Sequence, residues 1–408
     1  MIGMKTVIWD ARVRGLVLLG FSFSVWLNPG LSRAAGVDST RFADPPGVTA
    51  SHWVEWTPKA DPAAQPSAGE DAAMAYDRLR RRVVLFGGKG DDDVDLDELW
   101  CLDVSTQRWQ EVERRGDWPP ASEDHTMIYD PVGDQMIVFG GENGKPANKT
   151  WSLDLSTFTW HDLTNSTAPY REDHTAVYDS RARRMIVFAG RDTFLNTPSD
   201  VWAFDLDPKS PRWHRWDRIP AGDRAPLGRT DHAAIYDSTG NRMVVFGGWD
   251  RVAREYLGDT WVFQFPDDPD SPGRWEKIRT KTSHPPRRRH VVGVHDPLRN
   301  WFIIMGGRGE EGFLNDVWAL DLNYLVWINM TPGPEPRLDH QAVYDPESHR
   351  MLLYGGDAHL DHKLRDVWEL EIRSALELNA LLRAAGANAP VPGGAVIDAM
   401  PRSRGDER

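Results

Sequence analysis

The chain has 408 residues, 40% of them apolar, and its 61 Asp and Glu outnumber 48 Lys and Arg for a formal charge of −13. That content excludes a wholly disordered chain, and the acidic balance excludes the basic footprint of a nucleic-acid binder. Thirty-five Gly and 29 Pro exclude long helices, while the single Cys101 excludes a disulfide framework and a multi-thiolate zinc site.

In chain order, Lys5, Arg12 and Arg14 precede an apolar stretch over residues 16–27. The breakers Asn28, Pro29 and Gly30 follow it, and Ser32 and Ala34 then offer small side chains at the −3 and −1 positions of a cleavage site. This reads as a signal peptide over residues 1–34. It predicts a secreted or periplasmic protein that starts near Ala35 and has no membrane attachment after cleavage. A short strand, HWVEWT, is predicted from His52.

From Asp71 onward the chain repeats itself. The openings are DAAMAYD from Asp71, DHTMIYD from Asp124, DHTAVYD from Asp173, DHAAIYD from Asp231, RHVVGVHD from Arg289 and DHQAVYD from Asp339. Each leads into an apolar run that closes on a small pair, ending at Gly88, Gly141, Gly190, Gly248, Gly307 and Gly356. A third element carries Trp100, Trp151, Trp202, Trp261, Trp318 and Trp368, and a fourth begins at Trp109, Trp160, Trp213, Trp275 and Trp327. Four short β-rich elements per repeat, punctuated by Gly, Pro and Asp, predict a four-stranded antiparallel sheet. Six such sheets set radially make a propeller. The sixth repeat lacks a fourth strand, and HWVEWT resembles the fourth-strand segment TWHDLT from Thr159. The N-terminal strand is therefore expected to complete the last blade and close the ring.

The Gly-Gly after an apolar strand, the spaced aromatic and the last-strand Trp resemble the kelch repeat, over residues 51–373. The resemblance implies an all-β, six-bladed kelch-type β-propeller, of the kind also found in the central domain of galactose-oxidase-like proteins. It leaves function open, because this fold serves many roles. Residues 374–408 read as a tail, first a short helix and then an unpatterned segment.

Strand parity puts the repeat openings and the residues after Gly-Gly at one mouth of the axial channel, a natural concave site. The openings supply a near-ring, Asp71, Asp124, Asp173, Asp231, Arg289 and Asp339, preceded by Arg171, Arg229, Arg287 and Arg337. Repetition in nearly every blade marks these as fasteners of loops. The residues after the small pair differ in every blade: Lys89, Glu142, Arg191, Trp249, Arg308 and Asp357. Variation on a fixed scaffold suits a ligand without six-fold symmetry. Arg191, Trp249 and Arg308 would suit a carboxylated sugar or an acidic peptide.

No metal or cofactor is expected. The histidines His125, His174, His232, His290 and His340 come one per blade and do not converge as ligands. The acidic run at residues 91–98 lacks EF-hand spacing and reads as a solvated charge run. A copper radical site is disfavoured by the lone Cys101 and the lack of a Tyr-His pair. The expected function is an exported, monomeric propeller that binds a protein, a carbohydrate or a small acidic ligand. The alternative is an exported enzyme resembling the kelch-type sialic-acid epimerases, with Arg191, Arg308 and Glu142 clamping a carboxylate and moving a proton.

Overall fold

A computed structural model describes residues 48–56, 64–67, 69–222, 224–268, 271–358 and 362–374. The expected signal peptide and the helix of the tail lie outside the described residues.

Six four-stranded antiparallel sheets form the blades. Blade 1 holds β2 (Ala73–Asp77), β3 (Arg82–Phe86), β4 (Leu99–Asp103) and β5 (Arg108–Glu111). Blade 2 holds β6 (Glu123–Asp130), β7 (Gln135–Glu142), β8 (Thr150–Asp154) and β9 (Thr159–Asp162). Blade 3 holds β10 (Thr175–Asp179), β11 (Arg184–Phe188), β12 (Val201–Asp205) and β13 (Trp216–Ile219). Blade 4 holds β14 (Ala233–Asp237), β15 (Arg242–Asp250), β16 (Glu255–Gln264) and β17 (Arg274–Ile278). Blade 5 holds β18 (Val292–Asp296), β19 (Trp301–Met305), β22 (Val317–Asp321) and β23 (Val326–Asn329), with a small hairpin, β20 (Arg308–Gly309) and β21 (Gly312–Phe313). Blade 6 holds β24 (Gln341–Asp345), β25 (Arg350–Asp357), β26 (Lys363–Ser374) and, from the other end of the chain, β1 (Val48–Glu55).

The closure expected from the missing sixth fourth-strand is therefore present. β1 runs antiparallel to β26 with Trp53 opposite Leu370 and Glu55 opposite Trp368. Trp53 thereby takes the place that Trp109 takes opposite Leu102 and Trp160 takes opposite Leu153. It is only half-buried, and Trp56, just beyond the strand, is the buried anchor. In blade 3 the equivalent residue is Trp216, opposite Phe204, and not Trp213. The turn before β13 is longer than its counterparts, so Trp213 stays on the surface, 52% exposed.

The core is six wedges between neighbouring blades. Phe86 and Leu153 share the wedge of blades 1 and 2, Phe139 and Phe204 that of blades 2 and 3, and Leu85 and Tyr354 that of blades 6 and 1. Each such side chain stabilises by about 1.5–3 kcal/mol on burial, and each blade shares these side chains with both of its neighbours. The second glycine of the pair lets the second strand pass close over the opening of its own blade: Gly141 has φ 86°, and a Cβ there would lie 2.5 Å from the Glu123 carbonyl. Only glycine fits that approach.

Candidate functional site

At one mouth of the channel the residue that opens each inner strand is held in the left-handed region. Asp71, Asp124, Asp173, Asp231, His290 and Asp339 all have φ between 52° and 56°. Asp71 N donates to the Asp339 carbonyl (3.1 Å), Asp124 N to that of Asp71 (3.2 Å) and Asp231 N to that of Asp173 (3.2 Å). Backbone bonds thus join blade 6 to 1, 1 to 2 and 3 to 4 at this mouth. These six side chains line a cavity of about 220 Å³.

Blade 5 corrects the expected ring. Arg289 is not its member; His290 is, because the strand register counts back from Asp296, which matches Asp179 of blade 3. Matching the openings by their histidines slipped blade 5 by one residue. For the same reason Arg288, not Arg287, is the buried arginine of this blade, and Val291 takes the place of the histidine of blades 2, 3, 4 and 6, as Ala72 does in blade 1. His290 Nδ1 contacts Asp339 and lies 3.7 Å from Asp231. Burial opposes a charge on this imidazole, but the two flanking carboxylates outweigh it and raise its pKa to about 9. Burial and mutual repulsion within the ring hold the carboxyls of Asp71, Asp124 and Asp173 well above the usual range.

The repeated histidines and arginines fasten the blades. His125 lies edge-on to Phe86 of the previous blade, with Nε2 3.1 Å from the Phe86 carbonyl. His174 and His232 repeat this on Phe139 and Phe188, their Nε2 atoms 2.8 and 2.7 Å from the hydroxyls of Thr126 and Thr175. Burial lowers His125 to about 4 and both His174 and His340 to about 3. Arg171, Arg229, Arg288 and Arg337 each bond one carboxylate of their own blade, Asp200, Asp259, Asp316 and Asp366. The third-strand tryptophans donate to the same groups, as Trp202 Nε1 does to Asp200 (2.8 Å). That explains the Asp-x-Trp spacing.

Above the ring lies a second tier, in which the residue after Gly-Gly bridges the residue before the ring. The bridged pairs are Glu70 with Lys89, Glu123 with Glu142, Glu172 with Arg191, Thr230 with Trp249, Arg289 with Arg308 and Leu338 with Asp357. All six variable residues singled out in the sequence therefore share this mouth. Their charges are not equally available. Lys89 pairs with Glu123 at 2.7 Å. Arg191 contacts the fully buried Glu172 and lies 3.5 Å from Glu142. Arg289 and Arg308 exchange backbone hydrogen bonds of 3.0 and 2.8 Å, and among the described residues neither guanidinium has a carboxylate partner. Arg289 lies over the Trp249 ring, 4.9 Å from its centroid, and Arg308 over Phe313 at 5.7 Å. Two unpaired cations beside an aromatic face form an anion-binding group. Arg289 was missed in this role because its partner, Arg308, comes from another strand of the blade.

The acidic run is held rather than merely solvated: Lys363 lies 3.0 Å from Asp93 and Arg365 2.5 Å from Asp91. The carboxylates of Glu70, Asp71 and Asp339, and those of Glu123, Asp124 and Glu142, lie close enough to share a cation. Lys363 and Lys89 already neutralise Glu70 and Glu123.

A closed ring of six blades with a variable loop tier over a narrow axial cavity defines a propeller-type binding module. The chain belongs to the kelch-repeat family: the model described as KLHDC2/KLHL20/DRC7 Kelch-repeats domain matches residues 71–215 and 209–375. Adagio-like protein 1 of Oryza sativa subsp. japonica is 30% identical over 264 residues, 59% of this chain and 40% of that protein. Adagio protein 3 of Arabidopsis thaliana is 31% identical over 72% of this chain and 39% of its own length. Kelch domain-containing protein 3 of Homo sapiens is 26% identical over 69% of this chain and 74% of its own. The chain thus spans about two fifths of the Adagio relatives' length. Kelch propellers are typically protein-binding modules. Among the described residues no helix is long and apolar enough to cross a membrane.

Proposed function

We propose that this kelch propeller is an exported module that binds a protein partner at the mouth ringed by Asp71, Asp124, Asp173, Asp231, His290 and Asp339. Arg289 and Arg308 take an acidic group of the partner, beside the face of Trp249. The observation that carries this reading is the unpaired state of these two arginines, bonded backbone to backbone on a chain of net charge −13. Among the described residues neither guanidinium has a carboxylate to give up, so an arriving carboxylate gains charge-assisted bonds without displacing an existing partner. The enzymatic alternative needs Arg191, Arg308 and Glu142 to act on one substrate, but Arg191 is held by Glu172 and Glu142.

The test is a titration of the full chain with a panel of synthetic acidic peptides, by fluorescence anisotropy. Arg289→Ala and Arg308→Ala should each weaken binding by about ten- to a hundred-fold, the worth of a charge-assisted hydrogen bond. Equal affinities in both variants and the parent would overturn the reading.

A further inference from the structure

Apart from Val94 on blade 1, the exposed large apolar side chains of this face gather on blades 3 and 4. Phe194 (83% exposed) and Leu195 (62%) sit at the tip of the loop between β11 and β12. Leu227 (60%) precedes β14, and Val252 (90%) caps the hairpin of β15 and β16. Backbone contacts join these places into one strip. A Cβ on Gly228 would fall on the carbonyl of Thr197, so the segment carrying Leu227 lies directly against the Phe194 loop. Arg229 then donates to the Gly247 carbonyl (2.8 Å), where the hairpin begins. The hairpin carries Trp249 opposite Tyr256, one pair before its turn, and Val252 in the turn itself.

The two loop tips are held in shape. Asp192 Oδ1 accepts from Phe194 N (2.8 Å) and Asn196 N (2.9 Å), and Leu195 sits at φ 62°. Asp250 Oδ1 accepts from Val252 N (2.9 Å) and Ala253 N (3.0 Å). Holding apolar side chains out in water costs free energy that burial against a partner recovers. The hairpin turn is also basic, its neighbour Glu255 being 4.0 Å from Arg287. Arg251 and Arg254 flank Val252, both are exposed, and among the described residues neither has an ion-pair partner. The strip meets the arginine pair at Trp249, over which Arg289 lies.

We infer that the partner segment is both acidic and apolar, with its acidic group at Arg289 and Arg308 and its apolar side chains along Val252, Leu227, Phe194 and Leu195. The inference rests on the protein-binding reading above and names the partner's chemistry. Charge complementarity selects acidic over basic apolar segments. A polypeptide fits better than an anionic membrane surface: Trp249, Arg289 and Arg308 are half-buried while Val252 is 90% exposed, and a chain segment can enter beside the arginines where a flat surface meets the exposed tips first.

The experiment titrates the full chain with four probes: a peptide mixing Asp or Glu with Leu and Phe, the same peptide with Ser for each apolar residue, a basic apolar peptide, and vesicles of phosphatidylglycerol and phosphatidylcholine. The variants are Phe194→Ser/Val252→Ser and Arg308→Ala, with thermal midpoints measured alongside. The mixed peptide should bind tightest. The double variant should weaken it roughly ten-fold or more, leave the Ser-substituted peptide unchanged and keep the parent's midpoint, since both side chains are exposed. Arg308→Ala should weaken both acidic peptides. If the double variant binds the mixed peptide as the parent does while Arg308→Ala still weakens it, the strip is not the site, and the protein-binding reading stands. Acidic-peptide affinities indifferent to Arg308 overturn both. Failure of every peptide to bind, or vesicle binding that the double variant abolishes, overturns the acidic and apolar segment as the occupant.

Discussion

His290 Nδ1 contacts the carboxylate of Asp339 across the boundary of blades 5 and 6, where every other inner-strand opening supplies an aspartate. One imidazolium among five carboxylates relieves the repulsion that a sixth acid would add. Ring closure at this mouth is thus electrostatic as well as a matter of backbone bonds.

The folded pKa of His290, about 9, lies above its ordinary value of 6.5. Its contribution to stability is therefore complete below pH 6.5 and is lost as pH rises through 9. The thermal midpoint should fall between those limits in the parent, and this part of the fall should vanish in His290→Gln. His290→Asp should be less stable than His290→Gln at neutral pH. Identical alkaline profiles in parent and His290→Gln would remove the imidazolium from the ring's energetics.

The interblade histidines act in the other direction. His174 is lowered from 6.5 to about 3, chiefly by burial, so its contribution is present above pH 6.5 and is lost as pH falls towards 3. The stability of the parent should drop on this acid limb. His174→Val copies what Val291 does in blade 5, and it should flatten the limb while lowering stability at pH 7 through the lost bond to Thr126. Denaturant midpoints across this pH range in the two proteins measure the difference.

Arg191 and Arg308 hold equivalent places but should answer mutation differently. Arg191→Ala leaves Glu172, fully buried, without its cation, which typically costs about 3–5 kcal/mol. Arg308→Ala breaks no ion pair and should leave the denaturant midpoint near that of the parent. Equal midpoints in the two variants would show that Arg191 does not neutralise Glu172.

Ring closure depends on the strand from the N-terminal side of the propeller. Trp56 is 5% exposed and shares a wedge with Trp109, Tyr354 and Val367 of blades 1 and 6. Trp56→Ala should cost about 3–5 kcal/mol. Removing residues up to Thr57 should expose β26 as a free edge and cause aggregation or a large drop in thermal midpoint. A truncated chain that melts like the parent would show that β1 contributes nothing to blade 6.

Export has its own check. Ser32 and Ala34 fit the small subsites of a signal peptidase, so material recovered outside the cytoplasm should begin near Ala35. N-terminal sequencing that finds Met1 there would overturn the signal-peptide reading.

The amino-acid order by itself determined the six blades, the four strands of each and the strand that closes the ring. Those features rest on local spacing: period-two apolar runs, Gly-Gly where φ must be positive, and one Trp per outer strand. Even the borrowed strand was legible, since HWVEWT repeats a pattern whose sixth copy is absent from the other end. Spacing failed where an insertion or a changed residue blurred it, as at Trp213 and Trp216 and in the slip of Arg289 against His290. What only the tertiary structure decided is which charges are free. Lys89 meets Glu123 of the next blade, Arg191 meets Glu142 of the previous one, and His290 meets Asp339 beyond a blade boundary. These partners are 34 to 49 residues apart in the chain, and an ion pair depends on the distance between charges in space. The unpaired state of Arg289 and Arg308 appears only once every blade has been set beside its neighbours.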